Sequence, residues 1–136
     1  MTRALFLLAL LPAALSSGEL GPLVSRPALY RVQLTGTRGA ASYYHRQLEG
    51  RQMADLTRYR AEGMTPAHRT LPLGRKVQVC RQDRPRCCVS VVIADRFGRH
   101  DPSDRVLDLS GSAARKLGMI RAGIVPVTVM EVTKDG

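Results

Sequence analysis

The chain has 136 residues, 44% of them apolar, which is one domain's worth and enough to bury a core, so a wholly disordered chain is excluded. Lys and Arg number 21 against 11 acidic residues, and the formal charge of +10 points to anionic partners: nucleic acid, lipid head groups or an acidic polymer such as cell-wall glycan. Aromatic residues are 4% with no Trp, too few for a base-stacking platform, so no nucleic-acid partner is expected.

In chain order, residues 1–18 read as an export signal. Arg3 is a short basic start, Ala4 to Leu15 is an apolar run broken only by Pro12, and Ser16, Ser17 and Gly18 are small. The run is shorter than the ~20 apolar residues a membrane span needs. Two small-x-small triplets overlap here, so the cut falls between Ser16 and Gly18. No Cys adjoins the cut, so neither a lipobox nor a stable membrane anchor is expected. Removing Arg3 lowers the charge from +10 to +9. The protein is expected to be periplasmic or secreted, and monomeric.

Residues 19–38, rich in Gly, Pro and Ser, read as a linker or N-terminal arm, with a short strand at Tyr30 to Leu34. The main domain is read as 39–136. Ala40 to Tyr44 reads as a strand and Gly50 to Gly63 as a long polar loop. Lys76 to Cys80 alternates, with Val77 and Val79 on one face. Cys88 to Ala94 is nearly all apolar and β-branched, as in a buried central strand. The polar stretch Arg81 to Arg86 between them reads as a hairpin loop. Arg105 to Leu109 is a further strand. Ser110 then caps a helix through Leu117, and Gly118 gives it a left-handed stop. Gly123 to Val132 is the last β run, with Pro126 at an edge or bulge. The pattern is that of a small, mainly β barrel or sandwich.

The three cysteines are Cys80, Cys87 and Cys88, an odd number, and none has metal-ligand spacing, so no metal is expected. Strand parity decides which can meet. Cys80 lies opposite in parity to Val77 and Val79, and Cys88 opposite to Val89 and Val91, so both project from the same side of the hairpin. A Cys80–Cys88 disulfide follows; a bond through Cys87 remains the alternative if the loop end is irregular.

Four blocks resemble the rare lipoprotein A (RlpA) family. They are Gly39-Ala-Ala-Ser-Tyr-Tyr44, Thr65-Pro-Ala-His-Arg-Thr-Leu-Pro-Leu-Gly74, Val91-Val-Ile-Ala-Asp-Arg96, and Arg105-Val-Leu-Asp-Leu-Ser-Gly-Ser-Ala-Ala-Arg-Lys-Leu-Gly-Met-Ile120. They occur in the family's order. The resemblance implies a six-stranded double-psi β-barrel with one or two short helices. It implies an endolytic peptidoglycan lytic transglycosylase, a lyase that cleaves MurNAc–GlcNAc bonds and closes a 1,6-anhydro ring. Glycan strands stripped of peptide are the implied partner, and no cofactor is implied. Some members carry a glycan-binding SPOR domain after the barrel, which is not expected here.

In this chemistry one carboxyl can act first as acid and then as base, unlike the carboxyl pair of hydrolytic glycosidases. Asp95, at the end of an apolar strand, falls on the family's catalytic Asp, and His68 on its active-site His. His68 is expected to bond Asp95 or the substrate, in its neutral form. Tyr44, Thr57 and Arg96 are the expected substrate-binding residues. Asp108, just before the helix, reads first as a structural Asp holding backbone amides. Two departures stand out. In Gly50-Arg-Gln-Met-Ala-Asp-Leu-Thr-Arg-Tyr-Arg60 the family's Glu falls on Thr57 and its turn Gly on Leu56, and the family's D-R-G-P becomes Asp95-Arg-Phe-Gly98. Loss of the Glu keeps open a rival reading, a non-catalytic, expansin-like module that binds peptidoglycan.

Overall fold

The structure, a computed structural model, describes residues 30–32, 36–98 and 103–134. The expected signal segment 1–18, and residues 19–29 and 33–35 of the expected arm, lie outside the described residues. Among the described residues, no helix is long and apolar enough to cross a membrane.

The strands are β1 (Tyr30–Val32), β2 (Thr37–Tyr43), β3 (Pro66–His68), β4 (Lys76–Arg81), β5 (Cys88–Val92), β6 (Arg105–Leu109) and β7 (Val125–Lys134), with one short helix, α1 (Gly111–Lys116). A single 3-10 turn covers Arg46–Leu48. Six strands form a curled sheet in the order β3-β6-β2-β7-β4-β5, and β1 adds to β7. β2 and β6 run parallel, and the other strand pairs of the sheet are antiparallel.

The two ends of that order also meet. Beyond β5 the chain runs parallel to β3: Val92 N–H donates to Met64 O, Ala94 N–H to Pro66 O, and His68 N–H to Asp95 O, at 3.1–3.2 Å. Ala67 and Asp95 are the bridge partners. This ladder turns the curled sheet into a closed barrel, which leaves no free edge along the seam.

Alternation places the core as expected. Val77, Val79, Val89, Val91, Leu107, Leu109, Val127 and Val129 are buried inside the barrel. Leu117 and Met119, delivered by α1 and the turn after it, are fully buried and belong to the same core. Ser110 caps α1 through Ala113 N–H, and its own hydroxyl donates to Gly63 O. Gly118 closes the helix at φ +72°, a left-handed conformation that suits Gly. Gly39 answers a different need. A Cβ there would lie 2.5 Å from a methyl of Val106 and 2.7 Å from Asp104 O, so only Gly lets β2 approach β6 at its register shift.

Cys80 and Cys88 face each other directly across β4 and β5 and form the disulfide that parity indicated, with 4.1 Å between Cα atoms. Cys87, half-buried, stays a thiol.

Three expectations shift. β2 starts at Thr37, inside the segment read as linker, because β7 is long enough to pair with it from Val125 to Val129. β3 was not foreseen: three residues containing a Pro carry no periodic signal. Pro126 sits at neither an edge nor a bulge but near the start of β7, a central strand. Its carbonyl receives Gln82 N–H at 2.8 Å, one residue past the end of β4. The missing Pro126 N–H faces the same way, where the ladder has already ended.

Candidate active site

Asp95 stands on the seam that closes the barrel. Its carboxylate accepts three hydrogen bonds: from Tyr44 Oη at 2.6 Å, Ala54 N–H at 2.9 Å and Arg96 N–H at 2.8 Å. The Ala54 donor comes from the stretch read as a plain loop, which folds back on itself. Gly50 N–H donates to Tyr59 O, Tyr59 N–H to Arg51 O, and Met53 N–H to Thr57 O, at 2.8–2.9 Å. Asp55 N–H then fastens this lobe to Ala94 O at 3.1 Å. Its apolar face (Met53 and Tyr59) packs on Ala94 and Tyr44, with the Tyr44 and Tyr59 rings 4.6 Å apart. Burial and the bond to Asp95 push the Tyr44 hydroxyl far above the usual tyrosine range, so it remains a donor.

Beside Tyr44 opens a cavity of about 310 Å³, lined by Tyr43, Tyr44, Tyr59, Arg46, Arg115 and Ile120 among others. Tyr rings with cationic neighbours offer flat apolar faces and donors, as a sugar with anionic substituents requires. Both Tyr43 and Tyr44 line this cavity, but their hydroxyls go to different partners. Tyr43 packs against the barrel core and donates to Ile120 O at 3.0 Å, while Tyr44 belongs to the lobe and to Asp95. A larger depression of about 410 Å³, next to the disulfide, lies among Arg38, Gln82, Pro85 and Thr128 and contains none of these groups.

His68 departs from expectation. Ala67 is the bridge partner of Asp95, so by parity His68 projects to the opposite face, level with buried Leu107. Only its backbone reaches Asp95. The imidazole is 4% exposed, and its Nδ1 accepts from Thr70 N–H (3.1 Å) and Leu71 N–H (2.9 Å). Accepting at Nδ1 puts the proton on Nε2, a buried atom with no hydrogen-bond partner among the described residues. Desolvation and the nearby Arg96 charge lower its pKa from 6.5 to about 4, which favours the neutral ring. His68 shapes the turn after β3 and leaves the carboxylate to Tyr44 and two amides.

Thr57 is exposed, and its hydroxyl donates to Asp55 at 2.6 Å within its own lobe. Leu56, where the family has its turn Gly, takes φ +72° with its side chain 76% exposed. The Arg96 guanidinium donates to the carbonyls of His68 (3.2 Å) and Asp95 (3.3 Å), pinning the seam. Phe97, where the family has Gly, lies under the guanidinium groups of Arg69 and Arg105, 5.2 and 5.7 Å from its ring centre.

The sequence reading of Asp108 is also revised. Among the described residues Asp108 binds no backbone amide; it accepts from the Ser42 hydroxyl at 2.8 Å. Burial pushes it above the usual carboxylate range, while Ser42 and Arg105 pull it down and Asp95 pushes it further up. Among the described residues no group of three or more His, Cys, Asp or Glu side chains is arranged to hold a metal ion.

The family model described as lytic transglycolase matches residues 36–129. The probable endolytic peptidoglycan transglycosylase RlpA of Nostoc sp. is 45% identical over 95 residues, covering 67% of this chain and 24% of that protein. The endolytic peptidoglycan transglycosylase RlpA of Vibrio cholerae is 36% identical over 97 residues, covering 71% and 36%. That of Pseudomonas aeruginosa is 41% identical over 91 residues, covering 67% and 26%. The chain thus spans about a quarter to a third of the length of these relatives. Among solved structures, the Streptomyces papain inhibitor superposes with a TM-score of 0.52 at 22% identity, covering 73% of this chain and 94% of that one, a likeness of fold alone. Taken with the four ordered blocks and the seven-stranded sheet, the match assigns this double-psi β-barrel chain to the RlpA-like lytic transglycolase family.

Proposed function

We propose that the barrel cleaves peptidoglycan glycan strands between MurNAc and GlcNAc without water, closing a 1,6-anhydro ring, outside the cytoplasm where that polymer lies. The observation that carries this reading is the Asp95 carboxylate, held by three donors beside a tyrosine-lined cavity. The reaction removes a proton from the C6 hydroxyl of MurNAc as O6 attacks C1, and delivers one to the departing oxygen. Asp95 suits the first task, since a carboxylate fixed by Tyr44, Ala54 and Arg96 cannot swing away from an incoming hydroxyl. Tyr44 serves both Asp95 and the wall of the cavity. Thr57, on the lobe that donates Ala54 N–H to Asp95, and Arg96, next to Asp95 in the chain, are proposed to contact glycan outside that cavity. No step calls for a cofactor.

The expansin-like alternative shares the fold and the glycan partner but makes no product. Digestion of peptide-free sacculi with the purified protein, followed by mass spectrometry, separates the two. New 1,6-anhydro-muramoyl ends support cleavage; retention of protein on sacculi with no new ends supports binding alone.

A further inference from the structure

We infer that Asp108 is a second catalytic carboxyl of this site, the group that gives its proton to the departing sugar oxygen. This rests on the transglycosylase reading above and divides the chemistry between two residues.

The argument is one of register. Ser42 of β2 pairs with Asp108 of β6, Asp108 with Ala67 of β3, and Ala67 with Asp95 across the seam. Residues directly paired on neighbouring strands project to the same face. Ser42, Asp108, Ala67 and Asp95 therefore form one row across β2, β6, β3 and the stretch after β5, opposite in parity to the core residues Leu107 and Leu109. Ala67, fully buried, is the one row position between the two carboxyls. Two strand spacings put their backbones roughly 10 Å apart. That is just above the window of about 5–9.5 Å in which a carboxyl pair flanks a glycosidic bond, a difference two Asp side chains can span.

The two members of the row are prepared differently. Asp95 receives donors from Tyr44, Ala54 and Arg96. Asp108 receives the Ser42 hydroxyl alone among the described residues. Ser42 is buried, and Arg105 donates into its oxygen at 3.0 Å, which commits the hydroxyl proton to Asp108. The charged and titratable groups around Asp108 are Asp95, Tyr44, Tyr59 and Arg105. Burial and the Asp95 charge outweigh the pull of Ser42 and Arg105, which favours the protonated carboxyl an acid needs.

The step balances. The C1–O bond breaks with its electron pair staying on the departing oxygen, which takes the Asp108 proton. O6 of the same MurNAc bonds to C1, and its proton passes to Asp95. Asp108 ends ionised and Asp95 protonated, and one proton exchanged through solvent resets both. The family's Glu position, here Thr57, is turned to Asp55 within its own lobe, so the second carboxyl comes from the sheet.

The test uses two substrates: peptide-free glycan strands, and an aryl glycoside of a MurNAc-terminated oligosaccharide, whose phenolate leaves without a proton. Asp108→Asn should lose about 10²–10⁴-fold on the strands and keep its rate on the aryl glycoside to within about tenfold; Asp95→Asn should lose both. Undiminished cleavage of strands by Asp108→Asn, or equal loss on both substrates, would overturn the inference and leave the transglycosylase reading standing. Wild-type protein inactive on both would overturn that reading and the inference with it. Ser42→Ala is the gentler variant. Removing a donor to the Asp108 carboxylate should move the alkaline limb of the pH–rate profile to higher pH. A lower melting temperature with an unmoved limb would make the Ser42–Asp108 bond merely structural and overturn the acid role.

Discussion

Leu56→Gly should stabilise the domain. Leu56 holds φ +72° at the tip of the lobe over Asp95, where an L side chain crowds the backbone. That conformation costs a non-glycine residue about 1–2 kcal/mol. Gly removes this cost and returns about 0.4–1 kcal/mol through the greater freedom of the unfolded chain. Little packing is lost, because the Leu56 side chain is 76% exposed. Its backbone bonds, N–H to Met53 O and O from Gln52, do not depend on the side chain. The net gain is about 0.5–1 kcal/mol, a rise of roughly 3–6 °C in melting temperature for a domain of this size. Thermal melts followed by circular dichroism measure it, with Leu56→Ala as the control that trims the side chain and keeps the strain. A melting temperature for Leu56→Gly at or below that of Leu56→Ala would refute the reasoning.

His68 should stay neutral well below the ordinary histidine range, with a midpoint near pH 4. Its folded pKa lies below the unfolded 6.5, so its contribution to stability is whole above pH 6.5 and is lost as pH falls through about 4. Ring-nitrogen NMR should show the Nε2–H form at pH 5.5; a midpoint at or above 6 would contradict the burial argument. Opening the Cys80–Cys88 bond, which closes a short hairpin, should cost roughly 2–3 kcal/mol. Cys80→Ser and Cys88→Ser should each lose the crosslink in non-reducing peptide maps while Cys87→Ser keeps it, and loss of the crosslink in Cys87→Ser would show the pairing to be wrong. Tyr44→Phe removes a hydrogen bond to a carboxylate, worth about 1.5–3 kcal/mol, so turnover should fall about 10- to 100-fold with the melting profile nearly kept. Full turnover in that variant would take Tyr44 out of the site.

Much of the fold was legible because it rests on local signals. Val77 and Val79 alternate on β4, Ser110 and Gly118 punctuate α1, and the parity of Cys80 and Cys88 is a property of two adjacent strands. Asp95 was legible through its apolar strand and its motif. The remainder depends on pairing between distant segments. Asp108 looked like a turn residue until β2 and β6, 66 positions apart at the Ser42 bond, were set in register. His68 looked like a partner of Asp95 or of substrate because it falls on the family's active-site His, yet one residue of parity turns it to the barrel interior. Three-residue β3 had no pattern to read, and the Ala54 donor exists only because the 50–59 lobe is fastened to Ala94. Leu56 lies between these cases: the family's turn Gly at that position hinted at the left-handed backbone seen there.

The central claim is that this barrel cleaves glycan through Asp95. Peptide-free sacculi digested with wild-type protein and with Asp95→Asn, at matched folded concentration, test it most directly through the yield of 1,6-anhydro-muramoyl ends by mass spectrometry. The account expects ends that accumulate with wild type and fall to the enzyme-free background with Asp95→Asn. Equal yields from the two proteins would contradict it.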